Sequence, residues 1–218
     1  MIISNEKKFV YLRVPKTGST SISVYFYENL PLESSILRTV DRSDYLDVSN
    51  YPIKDGYFDV EHPLTLKHNT HSTLQCAVDA GLLEHDVSEY SVYGVLRNPV
   101  DRFKSYWSMT KVIEGNDMVQ NFDVFKTYMN LFGARPQTTW LKHSGSLINK
   151  LFLYEDVPAL VEEIALKYDV TNTDNFTNYN FRSYQKQNEI PGRVLNYLES
   201  YWEEDFALYA NLKKSNAS

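Results

Sequence analysis

Residues 14–22 read Val14-Pro15-Lys16-Thr17-Gly18-Ser19-Thr20-Ser21-Ile22. The apolar run before them, residues 9–12, has the composition of a buried strand, and residues 23–27 can continue as a helix. An anion-binding site is favoured by this order of elements: a strand, a short loop with lysine, glycine and hydroxyl side chains, and the start of a helix. Backbone N–H groups at a helix N-terminus point toward the anion, and the helix dipole favours negative charge there. The stretch therefore predicts a phosphate-binding loop in which Lys16 adds a full positive charge.

The Lys16 loop (residues 15–21) differs from the Walker A sequence of ATPases and kinases, which reads G-x-x-x-x-G-K-[ST]. Lys16 precedes Gly18, and the loop has no glycine upstream of the lysine. This inverted order argues against an ordinary ATPase or kinase. For the short Lys-Thr-Gly-Ser stretch alone, a simple polar turn is the competing interpretation.

A second segment with the same layout follows at residues 92–107. Its apolar run, residues 92–96, is typical of a buried parallel strand, and the Arg97 motif (residues 97–105) follows directly. Pro99 suits the first turn of a helix, where its missing N–H costs nothing. Arg97 at the strand end and Ser105 two helical turns later can converge on one phosphate, because arginine offers a planar fork of donors and serine a hydroxyl. The competing interpretation of Arg102 and Lys104 is an exposed helix face.

Together the two segments resemble the sulfotransferase family that uses 3′-phosphoadenosine 5′-phosphosulfate (PAPS), in the form of its carbohydrate branch, membrane-type and bacterial. The Lys16 loop looks like the 5′-phosphosulfate loop of that family, and the Arg97 motif looks like its 3′-phosphate site. The resemblance implies PAPS as the co-substrate, with no metal required. It implies donor contacts from Lys16, Thr17, Gly18, Ser19, Thr20, Ser21, Arg97 and Ser105.

The implied reaction moves a sulfuryl group to an acceptor hydroxyl. Such a transfer needs a cation at the leaving phosphate, donors to the sulfuryl oxygens and a base for the hydroxyl proton. Lys16 is expected at the leaving phosphate. His71 is expected as the base, because the resembling branch has a histidine in a His-x-Thr context at a similar interval before its Arg-Asn-Pro motif, and a neutral imidazole accepts protons near pH 7. His68 and Glu61 remain alternatives.

Residues 135–141 also resemble the family, which often has a Pro-Gln pair near the acceptor cleft. Gln137 is therefore expected to bind the acceptor or PAPS, with a plain helix N-terminal position as the alternative. His68 is the other expected substrate-binding residue. Glu155 and Asp205 are expected to be structural.

Composition limits the partners. The 218 residues, 43% of them hydrophobic, predict a single sulfotransferase domain over residues 1–218. A net charge of −6 disfavours nucleic acid, and it favours a neutral or weakly charged sugar, or a lipid-linked one, over a polyanionic glycan as acceptor. The single cysteine, Cys76, provides neither an intramolecular disulfide nor a metal cluster.

No signal peptide and no apolar run of about 18 residues is visible, so no membrane span is predicted. A cytoplasmic location is expected if the chain is a full-length microbial or viral protein. The Golgi lumen is expected if it is a trimmed piece of a eukaryotic enzyme.

Strands that alternate with helices predict a P-loop-like α/β fold, with a mainly parallel central sheet flanked by helices, as in the sulfotransferase fold. The expected strands lie at residues 9–12, 57–60, 92–96 and 147–154, and the expected helices at residues 72–83, 121–132 and 158–166 and after residues 99 and 191. Ligands bind beyond the carboxyl ends of such strands, where both segments fall. A small-molecule kinase of the P-loop type and a non-catalytic nucleotide-binding protein remain as alternative functions.

Overall fold

The computed structural model describes residues 1–29, 53–54, 57–58, 72–114, 134–169 and 190–216. Its strands, in chain order, are β1 (Ile2–Ser4), β2 (Phe9–Tyr11), β3 (Ile53–Lys54), β4 (Tyr57–Phe58), β5 (Ser91–Leu96), β6 (Lys142–His143), β7 (Ser146–Leu147) and β8 (Lys150–Leu153). Its α-helices are α1 (Ser19–Asn29), α2 (Leu74–Asp79), α3 (Pro99–Glu114), α4 (Thr138–Leu141), α5 (Val157–Lys167), α6 (Gly192–Tyr201) and α7 (Glu203–Ser215). Short 3₁₀ helices lie at Val87–Glu89 and Tyr154–Asp156.

The central sheet has the strand order β1-β2-β5-β8. β2 pairs in parallel with β5, and β5 pairs in parallel with β8, whereas β1 pairs antiparallel with β2 at the edge. The pairs β3–β4 and β6–β7 form separate two-stranded hairpins. The fold is therefore mixed α/β with a mainly parallel central sheet, as predicted.

Apolar side chains alternate between the two faces of the sheet, as the two-residue period of a strand requires. One face packs against α1 and α5, and its cluster includes Phe9, Tyr11, Tyr93, Val95, Phe26 and Ile164. The other face packs against α2, α4 and α7, and its cluster includes Val10, Leu12, Val92, Leu74, Trp140 and Tyr209. Helices on both faces explain why the strands read as continuous apolar runs.

Gly94 in β5 allows the side chains of Ile148 and Leu141 to approach the strand closely on the second face of the sheet. A Cβ atom at this position would lie 2.6 Å from Ile148 Cδ1 and 2.6 Å from Leu141 Cδ2. Only a residue without a side chain fits under these two methyl groups.

The C-terminal helices join the core through a third cluster. Phe103, Tyr106 and Trp107 of α3 pack in one cluster with Val194, Leu198 and Trp202, which also contains Ala134. The Trp202 indole N–H donates to the carbonyl of Ala134 at 3.0 Å. α6 ends at Tyr201 and α7 begins at Glu203, so Trp202 is the one residue between the two helices.

The strands expected at residues 9–12, 92–96 and within 147–154, and the helices expected at residues 158–166 and after residues 99 and 191, are confirmed with small shifts of their ends. The helix expected at residues 72–83 is shorter, Leu74–Asp79, and of the strand expected at residues 57–60 the structure describes only Tyr57–Phe58. The helix expected at residues 121–132 lies outside the described residues. None of the helices in the described part of the chain is long and apolar enough to cross a membrane.

Candidate functional site

The Lys16 loop and the Arg97 motif lie at the same edge of the sheet. β2 and β5 are parallel neighbours with Tyr11 opposite Tyr93, and the Leu12 N–H continues the pairing to the Tyr93 carbonyl at 2.8 Å. Both segments therefore leave the carboxyl ends of adjacent strands, where open parallel sheets bind their ligands. This proximity is what the sequence predicted.

The Lys16 loop has a left-handed backbone at two positions. Lys16 has φ 66° and Gly18 has φ 73°. For a residue with a side chain, such a conformation costs on the order of 1–3 kcal/mol, and it persists where the surroundings impose it, commonly at functional sites. The buried Thr17 hydroxyl donates to the Val14 carbonyl at 2.9 Å, and this hydrogen bond stabilises the turn.

Helix α1 begins directly after this turn. The Gly18 carbonyl accepts from the Ile22 N–H at 3.3 Å, which makes Gly18 the residue that caps the helix. The N–H groups of the first turn of a helix have no carbonyl partner within it, so they can bind an anion. Ser19 and Ser21 are buried at this helix start, whereas Thr20 is exposed.

Arg97 connects the two segments directly. Its Nη1 donates to the Lys16 carbonyl at 3.0 Å, and its guanidinium carbon lies 4.4 Å from the centre of the Tyr154 ring. The same ring faces the loop, since a Cβ atom at Gly18 would lie 3.0 Å from Tyr154 Cε2. Tyr154 therefore lies against both the arginine and the loop.

The sequence did not single out Tyr154 as a site residue. It follows β8 directly, and β8 is the parallel neighbour of β5. The carboxyl ends of parallel neighbours share one edge, so its position after a strand was the available signal.

Gln137 is fully buried, and both the oxygen and the nitrogen of its side-chain amide are hydrogen-bonded to the backbone of Arg97. Gln137 Oε1 accepts the Arg97 N–H at 2.9 Å, and Gln137 Nε2 donates to the Arg97 carbonyl at 2.8 Å. It immediately precedes α4, which matches the helix N-terminal alternative. The described contacts of this amide are with the Arg97 backbone, and the expectation that Gln137 binds the acceptor or PAPS stays a prediction.

The residues at the start of α3 form the helix cap that their types favour. Asn98 Oδ1 accepts the N–H groups of Val100 at 2.9 Å and Asp101 at 3.2 Å, and Pro99 opens the helix. An asparagine cap followed by proline is the arrangement that these residue types favour. Ser105 lies in the second turn of α3 with a buried side chain. Its convergence with Arg97 on one phosphate stays a prediction.

Arg102 is fully buried, which contradicts its interpretation as part of an exposed helix face. Its Nε donates to the Pro15 carbonyl at 3.1 Å, and its Nη1 donates to the Arg135 carbonyl at 2.8 Å. Its charge is balanced by Asp205, whose Oδ2 lies 3.7 Å from Nη1. A buried arginine needs such partners because an unpaired charge in the interior is costly.

Two acidic residues expected to be structural have structural partners. Both oxygens of Asp205 accept backbone N–H groups, from Gln137 at 2.6 Å and from Thr138 at 2.9 Å. Glu155 accepts the Tyr209 hydroxyl, which attaches α7 to the residues after β8. Burial, together with the Glu155 carboxylate, raises the pKa of Tyr209 to about 12. Burial also raises the pKa of Tyr106, whose hydroxyl accepts from Arg102 Nη2 at 3.2 Å.

His71, His68 and Glu61, the candidate bases and substrate contacts, lie outside the described residues. The described chain resumes at Ser72, which is buried, and at Thr73, which caps α2 by accepting the Cys76 N–H at 3.3 Å. Among the described residues, no group of three or more His, Cys, Asp or Glu side chains lies close enough to hold a metal ion.

The comparison with protein families agrees with this geometry. A family model described as the sulfotransferase family matches residues 1–140, a segment that contains the Lys16 loop, the Arg97 motif and Gln137. No curated protein and no solved structure gives a match to the chain. The family match covers more than half of the 218 residues. The chain therefore belongs to the sulfotransferase family, whose members take the sulfuryl group from PAPS, and it is a sulfotransferase.

Proposed function

We propose that the protein transfers the sulfuryl group of PAPS to a hydroxyl of a carbohydrate, with the donor held in a P-loop-like manner. In this proposal the Lys16 loop binds the 5′-phosphosulfate, and Arg97 and Ser105 bind the 3′-phosphate. The observation that carries it is the 3.0 Å hydrogen bond from Arg97 Nη1 to the Lys16 carbonyl. It holds the two expected phosphate-binding segments against one another at the carboxyl edge of the sheet.

The hydrogen bonds of the loop refine which groups would contact the donor. The Thr17 hydroxyl hydrogen is engaged by the Val14 carbonyl, so Thr17 would contribute its backbone N–H. Thr20 is exposed at the start of α1 and can offer its hydroxyl as well as its N–H. Lys16 is half-buried, so its ammonium can reach the ligand side while its stem packs on the loop.

The transfer would proceed in line. The acceptor oxygen forms a bond to sulfur as the bond between sulfur and the bridging phosphate oxygen breaks, and the electron pair stays on that oxygen. The Lys16 ammonium would neutralise this developing charge, a contribution for which removal of one donor costs about 10²- to 10³-fold in kcat. His71 would take the acceptor proton, a role worth about 10²- to 10⁴-fold.

Surface charge supports a neutral or weakly charged acceptor. Four lysines in the described part of the chain are paired with acidic neighbours and do not combine into a basic groove. They are Lys8 with Glu89, Lys104 with Asp101, Lys142 with Glu204 and Lys150 with Glu163. A polyanionic glycan would need a surface that concentrates positive charge.

We also propose that residues 1–218 form one domain. Tyr209 of α7 packs in the same cluster as Met1, Ile3 and Val10. The C-terminal helix thus shares its core with the first strands of the sheet.

The direct test is transfer of labelled sulfate from PAPS to a panel of neutral, weakly acidic and polyanionic glycans. Lys16→Ala is expected to lower kcat at least about 10²-fold, because the leaving oxygen loses its cation. Lys7→Ala is the matched control, since Lys7 precedes β2 at the opposite end of the strand. Full turnover by Lys16→Ala would exclude the assigned mechanism.

His71 is tested in the same assay. His71→Ala is expected to lower kcat about 10²-fold or more and to remove the acidic limb of the pH–rate profile. His68→Ala is expected to raise KM for the acceptor with a smaller change in kcat. The opposite pattern would make His68 the base.

Calorimetry separates the alternative functions. A sulfotransferase is expected to bind 3′-phosphoadenosine 5′-phosphate (PAP), the desulfonated donor, more tightly than ATP–Mg²⁺, whereas a kinase would show the reverse preference. Tight PAP binding without transfer to any glycan would favour a non-catalytic nucleotide-binding protein.

A further inference from the structure

We propose that Asp205 is a positioning residue that holds both phosphate-binding segments of the donor site in register. Asp205 lies in α7, beyond the segment that matches the family model. The inference rests on the proposed donor site, since it concerns how Lys16 and Arg97 are held for PAPS.

Asp205 has no exposed surface and is surrounded by donors. Oδ2 accepts the Gln137 N–H at 2.6 Å, and Oδ1 accepts the Thr138 N–H at 2.9 Å. Oδ2 also lies 3.7 Å from Arg102 Nη1. Two contact pathways lead from this carboxylate to the Lys16 loop.

The first pathway passes through Gln137. Asp205 fixes the backbone of Gln137, and the Gln137 side chain fixes the Arg97 backbone through bonds of 2.9 and 2.8 Å. Arg97 then donates to the Lys16 carbonyl at 3.0 Å. The carboxylate thereby sets the position of the arginine expected at the 3′-phosphate.

The second pathway passes through Arg102. The guanidinium is balanced by Asp205 and packs with its carbon 4.8 Å from the centre of the Trp202 ring. Its Nε donates to the Pro15 carbonyl at 3.1 Å. The carboxylate thereby also sets the position of the loop expected at the 5′-phosphosulfate.

The two pathways fix neighbouring peptide groups of the loop. Within the described residues all peptide bonds are trans, so each carbonyl points away from the N–H of the next residue. Because the Pro15 and Lys16 carbonyls accept from Arg102 and Arg97, the N–H groups of Lys16 and Thr17 point to the side away from these two guanidinium groups. That side is where the proposal needs donors for the phosphosulfate.

Asp205→Asn should weaken both pathways with little change in volume. The asparagine side chain keeps one oxygen to accept the N–H groups of Gln137 and Thr138, and its NH₂ group faces the second of these donors. Arg102 also loses its counter-charge. A buried donor without an acceptor and a buried charge without a partner both favour a shifted backbone. Misplacement of binding groups by about 1 Å can cost about 10²-fold in catalysis.

The experiment measures dissociation constants of PAP, adenosine 3′-monophosphate and adenosine 5′-monophosphate, by calorimetry and ligand-observed NMR, well below the melting temperature. Asp205→Asn is expected to weaken the binding of PAP about tenfold or more and to weaken the binding of both monophosphates. Glu203→Gln is the matched control, because it makes the same charge change at an exposed position of the same helix turn. Unchanged dissociation constants in a folded but less stable Asp205→Asn protein would overturn the proposal.

Two further variants test the pathways one at a time, also if Asp205→Asn does not fold. Gln137→Met is expected to weaken the binding of adenosine 3′-monophosphate more than that of adenosine 5′-monophosphate. Arg102→Lys is expected to weaken the binding of the 5′-monophosphate more. Wild-type affinities in both variants would refute the positioning role. A wild-type protein that binds no PAP would instead reject the donor site itself.

Discussion

Replacing Gly18 by alanine tests how the loop and Arg97 are connected. Gly18 has φ 73°, and a Cβ atom there would lie 3.0 Å from Tyr154 Cε2. The left-handed backbone costs a residue with a Cβ atom about 1–2 kcal/mol. Carbon atoms prefer separations of about 3.5–4.0 Å, so the Tyr154 ring must also move by about 0.5–1 Å.

Gly81 provides a matched control with the same backbone but no contact. Its φ is 65°, and a Cβ atom would meet nothing within 4 Å. Both alanine variants should therefore lose about 1–2 kcal/mol of unfolding free energy, which lowers Tm by about 2–8 °C in a protein of this size. Only Gly18→Ala should displace Tyr154 and, with it, the Arg97 guanidinium stacked at 4.4 Å.

Thermal unfolding and calorimetric titration with PAP measure the two effects separately. Gly18→Ala is expected to weaken PAP binding about tenfold, which corresponds to ~1.4 kcal/mol, whereas Gly81→Ala should bind as the wild type does. Equal PAP affinity in the two variants would refute the inference that Tyr154 transmits the loop position to Arg97.

Three further expectations concern the scaffold. Gly94→Ala should lower the unfolding free energy by about 1–3 kcal/mol in urea titrations, because its Cβ atom would lie 2.6 Å from two methyl groups; wild-type stability would contradict the close packing. Asn98→Ala should cost about 0.5–2 kcal/mol through loss of the α3 cap, measured the same way. The pKa of Tyr209 is raised from 10.0 to about 12, so the stability that this residue contributes below pH 10 is lost as pH rises toward 12. Tyr209→Phe should therefore make the alkaline fall in stability shallower, and an unchanged slope would argue against the shift.

The local structure of the Lys16 loop and of the Arg97 motif was predictable because the sequence signals are local. An apolar run followed by a lysine–glycine loop, or by Arg-Asn-Pro, specifies a strand, a turn and a capped helix within a few residues. Parallel pairing of β2 and β5 then placed both segments at one edge. The same logic places Tyr154 there, but nothing in its immediate sequence distinguishes a site tyrosine from a core one.

The supports of the site were not predictable, because they depend on contacts between distant parts of the chain. Arg102 is a charged residue in a helix, and the partners of its buried guanidinium are distant in sequence, among them Asp205 in α7 and the Pro15 carbonyl. Gln137 had the right composition for a ligand contact, yet the Arg97 backbone occupies its amide. The edge strand β1 was missed because three residues beside a charged turn carry little periodicity.

The crystal structure of the complex with PAP tests most directly whether the two segments hold the two ends of one nucleotide. We expect the 5′-phosphate against the backbone N–H groups of the Lys16 loop with the Lys16 ammonium beside it, and the 3′-phosphate in contact with Arg97 and Ser105. A nucleotide bound elsewhere, or a 3′-phosphate that contacts neither Arg97 nor Ser105, would contradict this arrangement.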